Sequence, residues 1–90
     1  MKLAHRERLV AYMRDLDRVE PNSWSVGFSA LRQFMHSIGA PSFIVPILFD
    51  LMEEGLIWYA PPLVRGGIIY FTPGWRESAS QNNRPQGDEQ

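Results

Sequence analysis

Apolar and polar positions change period along the chain, and each change marks an element. Over residues 3–19, Leu9, Met13, Leu16 and Glu20 share one side at the 100° step of an α-helix, and Tyr12 and Val19 widen that stripe. Glu7, Arg14 and Arg18 take the other side, with Ala4 and Ala11 between them. Pro21-Asn22-Ser23 stops this helix, because the residue before a proline is pushed out of the helical region. Ser23-Trp24-Ser25-Val26 alternates polar and apolar, which predicts a very short strand. A second helix is predicted over residues 28–38, where Leu31, Phe34, Met35 and Ile38 recur at three- and four-residue spacing before a stop at Gly39. Pro41 and Ser42 open a third, ending near Glu54 with Gly55 as its cap; Pro46 then lies in its first turn, where the missing N–H costs little. From Leu56 the period becomes that of a strand. Leu56-Ile57-Trp58-Tyr59 and Ile68-Ile69-Tyr70-Phe71-Thr72 flank a loop holding Pro61, Pro62, Gly66 and Gly67, which predicts a hairpin with a long loop. Pro73-Gly74 ends it, with Trp75 as a last core residue. Beyond that point Ala79 is the single apolar side chain. Residues 76–90 are therefore expected to form a disordered polar tail, too polar to offset the entropy of ordering, and the folded domain to span residues 1–75.

Composition narrows the function classes. Ninety residues suit one domain. No apolar run approaches the roughly 20 residues that span a bilayer, and charged residues follow Met1-Lys2-Leu3 at once, leaving no apolar leader region. With no cysteine there is no disulfide framework and no thiolate ligand or nucleophile. A cytoplasmic protein is the expectation. A net charge of −1 lacks the basic excess typical of a nucleic-acid binder. His5 and His36 belong to different helices and share no metal-ligand spacing, Gly66-Gly67 has no phosphate-loop lysine, and Glu53-Glu54 read as helix-surface charges. No nucleophile–base arrangement is present, so neither an enzyme nor a metal or cofactor is expected. Trp24 and Trp75 read as core residues, and only one of Trp58 and Tyr59 need be buried, because they point to opposite sheet faces.

The segment from Leu31 to Asp50 has the spacing of a helix-turn-helix, with Phe34 and Ile38 before Gly39, Ala40 after it, then Val45 and Leu48 as docking anchors. Met35 stands four before the glycine, where that motif usually has a small residue. Downstream, Leu51-Met52-Glu53-Glu54-Gly55-Leu56-Ile57 and Tyr70-Phe71-Thr72-Pro73-Gly74 resemble the junction and the close of a wing. Over residues 3–75 the chain resembles winged helix-turn-helix proteins, similar in layout to MarR-like and PadR-like repressors. The resemblance implies an α+β fold of three helices plus a two- or three-stranded wing sheet. It also implies binding of double-stranded DNA by a transcriptional regulator, the third helix toward the major groove and the wing loop on the backbone or minor groove.

Two readings of the surface follow. A helical wheel of the third helix turns Val45, Leu48, Phe49 and Met52 inward and leaves Phe43, Ile47, Asp50 and Glu54 outward, a face with no Arg, Lys, Asn or Gln to read base edges. As a DNA binder the chain would use Ser42 and Phe43 at the major groove, Arg65 with Gly66 at the wing, and Arg32 on phosphate. As a protein-interaction module, an inhibitor or adaptor that does not read DNA, it would use Phe43, Ile47 and Leu63 as apolar anchors. The DNA reading also predicts a homodimer. With no helical pattern after Trp75, its surface would be the first helix, through Ala4 and Ala11.

Overall fold

In the computed structural model, which describes residues 2–82, the apolar stripe of the first helix is the floor of the core. Helix α1 (Lys2–Val19) buries Leu9 and Met13 completely and packs Tyr12 and Leu16 against the same cluster; Val19, at its last turn, is 75% exposed. Strand β1 (Ser25–Gly27) leads into α2 (Phe28–Ser37), which buries Phe28, Leu31 and Met35. A 3₁₀ turn at Pro41–Phe43 then feeds α3 (Ile44–Glu53). Strands β2 (Ile57–Trp58) and β3 (Ile68–Phe71) follow, and α4 (Pro73–Asn82) closes the described chain. Among the described residues the architecture is α+β: four α-helices and one three-stranded antiparallel sheet in the order β1-β3-β2, compatible with a winged helix.

Both helix stops predicted from glycine are built the same way. Gly39 follows α2 with φ +74°, its N–H donates to the His36 carbonyl at 3.0 Å, and the Ala40 N–H donates to Met35 at 2.9 Å. Gly55 follows α3 with φ +79°, with Gly55 N–H to Met52 and Leu56 N–H to Leu51, both 3.0 Å. These paired bonds satisfy carbonyls that a helix end otherwise leaves open, and the left-handed residue between them favours glycine. Met35 fits where a small residue was expected: its side chain is fully buried. Pro46 is the third residue of α3, inside the first turn as predicted.

The sheet divides its side chains by pleat. Val26 pairs with Ile69 and both point into the core, whereas Ser25, Tyr70 and Trp58 line up on the outer face. Tyr59 is buried and Trp58 exposed, which settles the choice between that pair. At the outer edge of β1 the Ser23 hydroxyl donates to the Ser25 carbonyl at 3.1 Å and accepts from the Ser25 N–H at 3.3 Å. Backbone groups that would otherwise recruit another strand are thereby closed off.

Two expectations are corrected at the C-terminal side. Residues 76–82 are helical and not a loose tail, so the domain runs past Trp75; residues 83–90 lie outside the described residues. Thr72 caps α4, its hydroxyl accepting from the Trp75 N–H at 3.3 Å, and Pro73 takes the first helical position. The indole of Trp75 is fully buried, stacked on Phe71 at 4.9 Å between ring centres. Arg14 lies 4.0 Å from the Trp75 ring centre and donates to the Trp75 carbonyl at 2.8 Å. Arg76 pairs with Asp17 through two bonds, of 3.0 and 2.6 Å, and donates to the Pro21 carbonyl. The second correction is Trp24, which is not a core residue: it is 36% exposed, with the Arg76 guanidinium 3.6 Å from its ring centre.

Candidate nucleic-acid interface

The surface of α3 is not the one its helical wheel predicted. Ile44, Ile47, Leu48 and Leu51 point into the core, while Val45 is 49% and Phe49 is 50% exposed. Ile47, at 2% exposure, is therefore removed from the predicted protein-contact set, and Val45 and Phe49 from the predicted core. Phe43 is half-buried against the core with its ring 4.8 Å from that of His5, and Leu63 is likewise packed against the core. Ser42 is exposed in the 3₁₀ turn. The solvent side of α3 thus carries Val45, Pro46, Phe49, Asp50 and Glu53, which is apolar and acidic and has no side-chain cation or amide. Glu54, just past its end, pairs with Arg6 of α1 at 2.9 Å.

Helix α2 has the opposite character. With Phe28, Leu31 and Met35 inward, the positions left to solvent include Ser29, Arg32, Gln33 and His36, at the i, i+3, i+4, i+7 spacing of one helix face. The β2–β3 loop comes to the same place. The Gly67 carbonyl accepts from the Phe28 N–H at 2.9 Å, satisfying one of the open donors at the start of α2. A turn closed by the Gly67 N–H on the Val64 carbonyl at 2.8 Å, with Gly66 at φ +85°, carries Arg65. Together Ser29, Arg32, Gln33, His36 and Arg65 line a cleft of about 340 Å³.

The charge of this cleft is uncompensated. None of its lining residues is acidic, and among the described residues neither Arg32 nor Arg65 has an ion-pair partner. Other arginines are spent on the fold. Arg6 pairs with Glu54, Arg18 with Asp15 and Arg76 with Asp17, while Arg14 holds the Trp75 carbonyl. Burial pulls the Arg14 guanidinium below its usual value, against an opposing push from Asp17; the hydrogen bond to Asp17 raises that of Arg76. Two guanidinium groups without an ion-pair partner, an amide, an imidazole and a hydroxyl can donate charge-assisted hydrogen bonds to an oxyanion placed in this cleft.

Of the residues predicted to meet DNA, the fold therefore brings Arg32 and Arg65 together, with Gly66 in the turn that carries Arg65. Gln33 and Ser29 are not among the residues singled out from sequence, and His36 is weighed there only as a metal ligand, although their shared face with Arg32 is legible from spacing alone. Compared with protein-family models, with curated proteins and with solved structures, the chain matches none. No helix among the described residues is long and apolar enough to cross a membrane.

Proposed function

We propose that this chain is a small winged helix-turn-helix domain that binds double-stranded DNA as a regulator, and that it meets the duplex with the α2 and β2–β3 loop edge instead of α3. The observation that carries this reading is the cleft in which Arg32 and Arg65 converge with Gln33, His36 and Ser29 and no carboxylate. Phosphate contacts supply most non-specific DNA affinity through counterion release, and Arg32 and Arg65 are two cations that no ion pair among the described residues engages. The apolar and acidic face of α3 supports the same assignment from the other side, since carboxylates repel the phosphate lattice. The reading is tested by fluorescence anisotropy of a labelled duplex at low salt. Saturable binding that falls steeply as salt rises is expected, weakened in the Arg32→Gln/Arg65→Gln double variant. Flat anisotropy at low salt would sink it.

The protein-interaction reading has an observation of its own. Val45 and Phe49 on α3, and Ile68, Tyr70 and Trp58 on the outer sheet face, are exposed large apolar side chains. Aromatic anchors of this kind are typical of protein contacts. A homodimer fits either reading. The α1 surface proposed for it keeps Ala4 and Ala11 exposed, while Arg14 and Asp17 on that helix are engaged by α4. Helix α4 also supplies the element after the sheet that the sequence pattern was read as lacking. Sedimentation equilibrium with and without duplex measures the state directly.

A further inference from the structure

We infer that the cleft between α2 and the β2–β3 loop seats a backbone phosphate, so that the domain takes its grip on DNA from the phosphodiester ridge and not from base edges. This rests on the DNA-binding reading above and adds the ligand group and the mode.

Shape supports it first. A helix that reads bases must protrude, since the major groove, about 12 Å wide, admits a convex element. The functional stripe of α2 does the reverse: the loop carrying Arg65 is held against the start of α2 by the Phe28–Gly67 hydrogen bond, so Arg32 and Arg65 sit on the walls of a concavity. A concavity accepts a ridge, and on duplex DNA the ridges are the phosphates. Chemistry agrees. The non-bridging oxygens of a phosphodiester only accept hydrogen bonds, and the cleft holds two guanidinium forks, the Gln33 amide and the Ser29 hydroxyl with no carboxylate. Arginine and glutamine also read base edges when they protrude into a groove, so the placement of these side chains in a concavity, and not their type, is what favours the phosphate. Helix α3, which the winged-helix layout would turn toward the major groove, presents Val45, Phe49, Asp50 and Glu53 to solvent.

The test has two arms. In the first, inorganic phosphate is titrated into the isotopically labelled full chain against chloride at matched ionic strength, and amide shifts are followed by NMR. Perturbations confined to residues 29–36 and 63–67, and lost in the Arg32→Gln/Arg65→Gln variant while its other resonances stay in place, are expected. Perturbations elsewhere, or none, overturn the seat. In the second, an A·T-rich and a G·C-rich duplex of equal length are compared. Kd values within about threefold of each other are expected, with each arginine variant weakening both duplexes by about tenfold and reducing the slope of log Kd against log salt by about one. A preference well beyond tenfold for one duplex, or variants that weaken only one, overturns backbone recognition and leaves DNA binding standing. Absence of any duplex binding takes down both.

Discussion

Helices α2 and α3 are each ten residues long and end on the same glycine-centred pair of hydrogen bonds, yet they present opposite chemistries to solvent. The exposed face of α2 includes Ser29, Arg32, Gln33 and His36; that of α3 is Val45, Pro46, Phe49, Asp50 and Glu53. In α2 polar and apolar residues alternate at helical spacing, so only one rotation buries Leu31 and Met35 and frees Arg32. In α3 apolar side chains go almost all the way round. Ile44, Ile47, Leu48 and Leu51 match the i, i+3, i+4, i+7 template, and so do Val45, Leu48, Phe49 and Met52, one position on. A wheel cannot choose between two complete stripes. The helix whose polar face is unambiguous is thus also the one of the two that carries a cation, and the proposed DNA contact accordingly uses the helix before the turn where the motif implies the helix after it.

The comparison breaks most visibly in stability. Ile47→Ala is expected to cost about 2–5 kcal/mol, as a truncation of a fully buried aliphatic side chain, whereas Val45→Ala should stay within about 0.5 kcal/mol. Urea denaturation at constant m-value reads both. If the costs are reversed, α3 is rotated by one residue and the stripe read from sequence is the correct one.

A second effect, about 1 kcal/mol or somewhat more, belongs to the turn that fixes how the two helices meet. Gly39 holds φ +74° with open space around it, so Gly39→Ala meets no clash and loses only backbone conformation. A stability loss with unchanged DNA affinity per folded molecule is expected. A neutral Gly39→Ala would mean that the turn is not left-handed and that the relation of α2 to α3 differs.

The smallest effect concerns the strand that launches the Arg65 loop. Burial raises the Tyr59 hydroxyl above its usual value, so the folded state holds this proton more tightly than the unfolded chain does. The contribution is fully present below the unfolded tyrosine pKa of about 10 and is lost as pH rises through the folded value. Thermal midpoints across that alkaline range should fall less steeply in Tyr59→Phe than in the unaltered chain. Identical slopes would place the Tyr59 ring in solvent and loosen the base of the loop.

Local chemistry by itself determined much of this protein. The element types, the stops at Gly39 and Gly55, the tolerated Pro46 and the placing of Trp58 and Tyr59 on opposite sheet faces follow from interactions within a few residues, and sequence spacing reports those directly. The start of α4 was legible too, as a capping threonine followed by proline, but Pro73-Gly74 reads equally as a stop until Trp75 has somewhere to go. What only the tertiary structure decided are matters of long-range partnership. It rotated α3, brought Trp24 to the surface beneath Arg76, ordered α4 by pairing Arg76 with Asp17 fifty-nine residues away, and folded Arg65 onto the α2 face that carries Arg32. The physical reason is the same in each case. A cap or a periodic stripe is stabilised by its own neighbours in the chain, whereas a stripe with two equivalent phases, a polar helix without a core of its own and a loop cation take their positions from surfaces that exist only once the rest of the chain has folded.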